Sequence, residues 1–358
     1  MGRYLMVDVG AGTMDILYYD TETDLHYKAV VKSPVRYIAE KAAACSGNLL
    51  ITGCEMGGGP ITKVLQDRAK TSGVLISTSA AATLHHNLEK VRSWDINIIT
   101  DEEAEALRDN KQYSEITLTD LDADRIQQIV DGFGVAFEFD AVAVCAQDHG
   151  VPPEGESHLD FRHNMFKFLL EEKPYAHALL FKDDEVPSEM NRLSSLAKSA
   201  GTLPATEVYV MDSGMAAILG ASQDVLAKDK NKIFILDVAT SHTIGAAMRS
   251  DEIAGFFEYH TVDITLERLE ALLRDLGEGK LEHRQILMEG GHGAFMRKDI
   301  GFDDDDVIIA TGPKRKLVEN SSLPIVFGAP LGDNMMTGTV GLLEAIRRRK
   351  GLAPIVYI

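Results

Sequence analysis

The stretch Arg3-Tyr-Leu-Met-Val-Asp8-Val-Gly10-Ala-Gly12-Thr13-Met-Asp15-Ile-Leu-Tyr-Tyr19 runs from an apolar segment to an aspartate, through two glycines, and into a second apolar segment. That order predicts a strand, a tight turn of phosphate size and a returning strand. Glycine permits positive φ and lets backbone N–H groups approach an anion, and a carboxylate at a strand end can hold a hydrated divalent cation beside it. The pattern suits a nucleotide phosphate with Mg²⁺. Taken alone, it also describes an ordinary hairpin with a glycine-rich turn.

Downstream the plan repeats. Lys232-Ile-Phe-Ile-Leu-Asp237-Val-Ala-Thr240-Ser241-His242-Thr243-Ile-Gly245-Ala-Ala-Met248 again sets an apolar strand, an aspartate, a turn of small and hydroxylated residues, and a second strand. Two copies of one device imply a duplicated architecture. Around them, strand and helix patterns alternate, which predicts an α/β fold. Leu25 to Lys32 reads as a strand, Val35 to Cys45 as a helix, Leu49 to Gly53 as a buried strand and Ile61 to Ser72 as a helix. Helical patterns follow at Ala80 to Val91, Asp101 to Asp109 and Ala123 to Asp131, then a strand at Asp140 to Ala146. Gln147 to Lys173, rich in Pro, Gly, His and Glu, reads as a long loop able to cover a cleft.

Composition bounds the answer. A chain of 358 residues that is 45% hydrophobic has material for two domains. Its formal net charge of −19 disfavours nucleic acid and anionic membranes as partners, so any phosphate site must be built locally from backbone amides, a metal ion or a few cations. No apolar run approaches the roughly 20 residues of a membrane span, and Arg3 and Asp8 interrupt any signal-peptide pattern, so the cytoplasm is the expected location. Cys45, Cys54 and Cys145 are too scattered for a disulfide framework, a zinc site or an iron–sulfur cluster and read as free thiols.

Further motifs lie at strand-to-helix junctions. Gly57-Gly58-Gly59-Pro60 opens a helix, either as an anion site or as a point of close packing or hinging. Asp212-Ser-Gly214 leads into the small-residue helix Met215 to Ala221, and Asp306 to Ala310 is a strand entering the turn Thr311-Gly312-Pro313. Gly338 to Arg347 is a second small-residue helix. The run Asp303 to Asp306 reads as a solvated loop.

In order along the chain, these pieces resemble the actin, Hsp70 and sugar-kinase superfamily. Asp8 to Asp15 is similar to its first phosphate motif, Met211 to Ala221 to the first connecting helix, and Leu236 to Ile244 to the second phosphate motif. Ile308 to Lys316 is similar to the adenosine motif and Gly338 to Ala345 to the second connecting helix. The resemblance implies two actin-like (ribonuclease H-like) domains flanking a cleft: residues 1–220 with 335–358, and 221–334. It implies ATP and Mg²⁺ as cofactors, with Asp8 and Asp237 on the metal side. Gly10, Gly12, Thr13, Thr240, Ser241 and Thr243 would lie at the phosphates, and Thr311, Gly312 and Pro313 at the adenosine. Asp212 matches the general base of the sugar-kinase branch, although it also reads as a helix N-cap. The expected activity is an ATP-dependent phosphotransferase or ATPase acting on a small molecule. A non-catalytic nucleotide sensor and a hydantoinase-like hydrolase are the alternatives, the former because side chains replace glycines in the second turn.

Thr52 to Pro60, Glu258-Tyr-His-Thr261 and Glu289-Gly-Gly-His-Gly293 also resemble a family of bacterial and archaeal proteins, some labelled pyruvate formate-lyase-activating enzyme. The cysteine spacing speaks against the radical chemistry of that label. His149, His242, His260 and His292 sit in turns beside Gly, Ser, Thr or Asp, whereas His85 and His86 fall on a helical pattern. The four turn histidines could bind a divalent metal, contact phosphate, act as acid and base, or hydrogen-bond their own loops. His242, inside the second phosphate-like turn, is the candidate with a catalytic role.

Overall fold

The computed structural model describes residues 2–153, 155–303 and 306–357. Its strands, in chain order, are β1 (Arg3–Val9), β2 (Thr13–Asp20), β3 (Leu25–Lys32), β4 (Asn48–Gly53), β5 (Val74–Ser77), β6 (Asn97–Ile99), β7 (Tyr113–Leu118) and β8 (Phe139–Ala146). They continue with β9 (Phe181–Lys182), β10 (Ala205–Asp212), β11 (Lys232–Val238), β12 (His242–Arg249), β13 (Glu252–His260), β14 (Gly293–Met296), β15 (Ile308–Thr311) and β16 (Ile325–Phe327).

Two six-stranded sheets carry the duplication. One has the order β3-β2-β1-β8-β10-β9, the other β14-β13-β12-β11-β15-β16. In each, three antiparallel strands continue into two parallel ones: β1 pairs antiparallel with β2 and parallel with β8, as β11 pairs with β12 and β15. The five shared strands have one topology, and each sheet adds a different edge strand.

Period-2 alternation sorts the side chains into layers. Tyr4 and Met6 on β1, and Ile233 and Ile235 on β11, face one common core that also holds the helices Ser213–Ala221 and Thr337–Lys350. Leu5, Val7 and Val9 face the opposite side, against the helices Ala123–Gly132 and Asn191–Ala200. Phe234, Leu236 and Val238 face the helix Leu266–Gly277. The two central helices meet backbone to backbone: a Cβ on Gly341 would collide with Ala216, and one on Gly220 with Thr337. Their small residues are required by this approach.

Three expectations change. Within the first half, β4 to β7 form a separate parallel sheet, order β6-β5-β4-β7, with its own core of Leu49, Ile51, Ile76 and Ile116. The expected loop Gln147 to Lys173 contains the helix His158–Glu172, started by the Ser157 side chain accepting from the Asp160 backbone N–H. The expected helix Ala80 to Val91 is two short ones, Thr78–Ala81 and Leu88–Arg92. Asn87 caps the second, so His85 and His86 lie in the break between them rather than on a helix. Of the acidic run, Asp304 and Asp305 lie outside the described residues, and Asp303 and Asp306 both pair with Lys232 Nζ at 2.8 Å. No helix among the described residues is long and apolar enough to cross a membrane.

Candidate functional site

The two Asp-turn devices face one cleft of about 520 Å³. Their backbones correspond residue for residue. Asp8 lies opposite Asp15 across the first hairpin, and Asp237 lies opposite Ile244 across the second. The turns close with the same bond, Gly10 N–H to Thr13 O and Ala239 N–H to His242 O, each 3.0 Å.

Asp8, Gly10, Gly12, Thr13, Asp237, Thr240, Ser241, His242, Gly312 and Pro313 all line the cleft. The glycines act differently from the expectation. Neither Gly10 nor Gly12 has a positive φ. Gly12 is required by approach, because a Cβ there would lie 2.7 Å from Thr240 Oγ1 of the opposite hairpin. Gly312 does need its left-handed φ of 86° and packs on Val238.

Thr243 and Thr311 are fully buried behind the cleft wall. Thr243 Oγ1 shares a hydrogen bond with Thr261 Oγ1, and Thr311 Oγ1 donates to Asp237 Oδ1 at 2.9 Å. Thr311 therefore positions a carboxylate.

Asp212 is 2% exposed and is not among the cleft-lining residues. Its Oδ1 accepts from Gly214 N–H at the start of the helix Ser213–Ala221, and its Oδ2 accepts from Arg162 Nη1 at 2.8 Å. Arg162 Nη2 reaches Glu258 Oε2 at 3.2 Å. One buried guanidinium thus joins β10 of the first sheet to β13 of the second, and both lone-pair sets of Asp212 are engaged where a base would need one free. Burial would raise the Glu258 carboxyl, but Arg162 and the neighbouring imidazoles hold it well below its ordinary range.

Three carboxylates at the cleft floor have the opposite character. Burial pushes Asp8 up to about 7, with Asp237 and Asp212 adding to the shift. Burial and then the Asp8 charge push Asp15 up to about 8, and burial lifts Asp237 to about 6. Asp15 Oδ1 is buried and has no hydrogen-bond partner among the described residues. Cross-strand like charges repel, which adds to the upward shift of Asp15.

The cleft lining is acidic overall, with Asp8, Asp15, Glu55, Asp148, Asp237 and Glu258 against Arg162 and Arg192. Arg192 is itself held by Asp120 at 2.7 Å. Three helix N-termini offset this. Gly59–Ala69, Ser213–Ala221 and Thr337–Lys350 all begin at lining residues, Gly59-Pro60, Ser213-Gly214 and Thr337-Gly338. Unsatisfied N–H groups and the positive end of the helix dipole favour anions there.

The four histidines expected in turns converge, although His242 and His260 sit at the ends of β12 and β13 and not in turns. Imidazole centroids of His242 and His292 lie 4.7 Å apart, His260 and His292 4.2 Å, and His149 and His292 5.9 Å. Asp15, Arg162 and Glu258 had no assigned role in the sequence. For Asp15 a signal existed: seven residues after Asp8 through a tight turn makes it the cross-strand partner. Arg162 carried no signal, because its partners lie 50 and 96 residues away.

A duplicated α/β fold of the actin-like kind, with Asp-turn devices meeting across a cleft, is the class these strand orders define. The chain belongs to the family described as "Putative pyruvate format-lyase activating enzyme (DUF1786)", whose model matches residues 56–317. No curated protein matches the chain. Among solved structures it is similar to a Bacteroides thetaiotaomicron protein with actin-like ATPase fold and unknown function, at 9% identity over 95% of each chain with a TM-score of 0.38. It is also similar to the Clostridium difficile activator of 2-hydroxyisocaproyl-CoA dehydratase with bound ADPNP, at 9% identity over 99% of each chain and TM-score 0.34. Spiroplasma citri MreB5 bound to ADP aligns at 10% identity over 97% of this chain and 96% of that one, TM-score 0.35. Likeness at that level adds nothing to the strand orders themselves.

The activity in the family's description does not fit the cysteines. Cys145 is fully buried on β8, Cys54 follows β4 and Cys45 ends the helix Pro34–Ala44. Among the described residues, the one group of three or more His, Cys, Asp or Glu side chains with ligand atoms within 4.8 Å of one another, as direct ligation needs, is His149, His242 and His292.

Proposed function

We propose that the protein binds ATP with Mg²⁺ in the cleft between the two hairpins and works as a nucleotide-dependent switch. The observation that carries this reading is the pair of matched Asp-turn devices on opposite walls, close enough that a Cβ on Gly12 would stand 2.7 Å from Thr240 Oγ1. Asp8, Asp15 and Asp237 would hold the hydrated cation, which supplies the positive charge that lets a polyphosphate enter an acidic cleft. The turns Gly10 to Thr13 and Ala239 to His242 and the helix starts at Ser213 and Thr337 would orient the phosphates. Gly312 and Pro313 would border the nucleoside. Because the two hairpins belong to different sheets, a ligand touching both alters the preferred separation of those sheets through its differential contacts.

The engagement of Asp212 by Arg162 and by the helix N-terminus favours a switch over phosphoryl transfer to a hydroxyl. Transfer to a small molecule with Asp212 as base is the second reading, and requires Arg162 to release it. Calorimetric titration with Mg²⁺ and a non-hydrolysable ATP analogue tests the proposal. Saturable binding that needs Mg²⁺ and is lost in Asp237→Ala is expected, and no binding at millimolar ligand overturns it. ADP formation together with a phosphorylated acceptor, both lost in Asp212→Asn while nucleotide affinity persists, would replace the switch by the transferase.

A further inference from the structure

We infer that His149, His242 and His292 form a second metal site, for a borderline divalent ion of the Zn²⁺ type, in the wall of the same cleft. The inference does not depend on nucleotide binding. His242 is the first residue of β12, and its register partner His260 is the last of β13. His292 is tied to the same strand end by its backbone N–H donating to Glu258 O at 2.8 Å, and His149 arrives from the loop after β8 in the other sheet. Three segments far apart in the chain thus deliver three imidazoles to one point.

One nitrogen from each of the three lies within 4.8 Å of the other two. Tetrahedral coordination with metal–nitrogen bonds of about 2.0–2.1 Å sets nitrogens ~3.3 Å apart, so ligation requires only a modest inward movement of rings already facing one another. The His292 side chain is 8% exposed, and its buried Nδ1 has no hydrogen-bond partner among the described residues. His242 Nε2 is buried and unpartnered as well. Buried polar nitrogens normally find partners, and two orphans in one cluster point to a missing electrophile.

Glu258, anchored by Arg162 and by Gln147, stands 3.8 Å from His292 Nδ1 and sets a negative charge beside the cluster that a bound cation would offset. Imidazole donors select Zn²⁺ and its neighbours over Mg²⁺, which separates this site from the carboxylates of the cleft floor. His149 and His242 line the cleft, so the coordination position left by three protein ligands opens toward whatever the cleft holds, and would take a water or an anionic oxygen.

The test uses the untagged full-length chain, stripped with a chelator and titrated with Zn²⁺ against a chromophoric competitor, and separately with Co²⁺ followed by visible absorption. A single equivalent bound, with Co²⁺ bands of low-coordinate nitrogen ligation, is expected. His242→Gln and His292→Gln should each weaken binding by on the order of 100-fold, at least as much as loss of an outer-shell partner. His26→Ala, on β3, should leave it unchanged. Circular dichroism confirms that each variant is folded, and His149→Gln in the loop replaces any that is not. No stoichiometric Zn²⁺ or Co²⁺ binding by the wild type, or binding retained in the folded variants, overturns the site.

Discussion

The two hairpins have one backbone and two chemistries. Both place an aspartate at the end of the first strand, close the turn with the same 3.0 Å bond and return with the same register. In the first, glycines line the turn and the residue opposite Asp8 is Asp15. In the second, Thr240, Ser241 and His242 fill the turn and the residue opposite Asp237 is Ile244. The first hairpin gathers carboxylates, donors of the kind hard cations take, and the second gathers imidazoles, donors of the kind borderline metals take. Duplication conserves the path of the chain, because hydrogen bonding and alternation dictate it, and leaves the turn side chains free to diverge.

The most damaging change should be to the buried arginine that joins the two sheets. Arg162→Met leaves Asp212 and Glu258 buried without their counter-charge, and removing one partner of a buried ionic group costs about 3–5 kcal/mol. Chemical denaturation would read this as a lowered midpoint. An unchanged midpoint would mean that the sheets are not coupled through that network.

Next in size are the carboxylates that distinguish the first hairpin. Asp8→Ala and Asp15→Asn should each reduce Mg²⁺–nucleotide affinity by ~10–100-fold, the scale of about 1.5–3 kcal/mol for a charged partner. Ile244→Ala, in the place of Asp15 on the other hairpin, should change affinity far less. Equal losses would show that the asymmetry between the hairpins has no role in binding.

The same carboxylates predict a pH dependence. Asp8, Asp15 and Asp237 hold their protons to about 7, 8 and 6 in the folded chain, against 3.8 ordinarily. The folded state therefore binds protons that the unfolded state releases. Stability from these groups is complete below about pH 4 and is lost as pH rises through 6 to 8, by on the order of 1.4 kcal/mol per pH unit for each proton held. Asp8 and Asp15 share that titration rather than titrating separately. Urea midpoints at pH 5.5 and pH 8 should show the fall. Asp15→Asn or saturating Mg²⁺ should flatten it, and a midpoint that rises over this window would contradict the burial of these carboxylates.

The smallest effect concerns the contact between the hairpins. Gly12→Ala places a methyl 2.7 Å from Thr240 Oγ1, an overpacking worth roughly 1–3 kcal/mol. Adding Thr240→Ala should restore most of the thermal midpoint, whereas Gly10→Ala, whose added Cβ would stand 3.2 Å from Thr13 O, should cost less. A double variant no more stable than Gly12→Ala alone would mean that the glycine serves its own turn.

Much of the fold was legible in the chain. The apolar–Asp–turn–apolar pattern at Asp8 and at Asp237 identifies both hairpins, and the small residues around Gly220 and Gly341 anticipate helices in close contact. Helix His158–Glu172 was hidden, because its His, Glu and Lys content masks a stripe of Phe166 and Leu170 and a buried Arg162. The separate sheet β4 to β7 was hidden because each of its strands is short and looks like any other α/β strand.

What the sequence determined by itself is local and periodic: strands, turns, the repeat, and Asp8 and Asp237 near the ends of their strands, all consequences of backbone preference and alternation. What only the tertiary structure decided is which distant groups share a dielectric. Asp212 is bound by an arginine, Asp15 faces Asp8 with its Oδ1 unpartnered among the described residues, and His149, His242 and His292 meet at one point. Ionisation and metal affinity depend on separation in space and on loss of water, and neither is written in the spacing of residues along the chain.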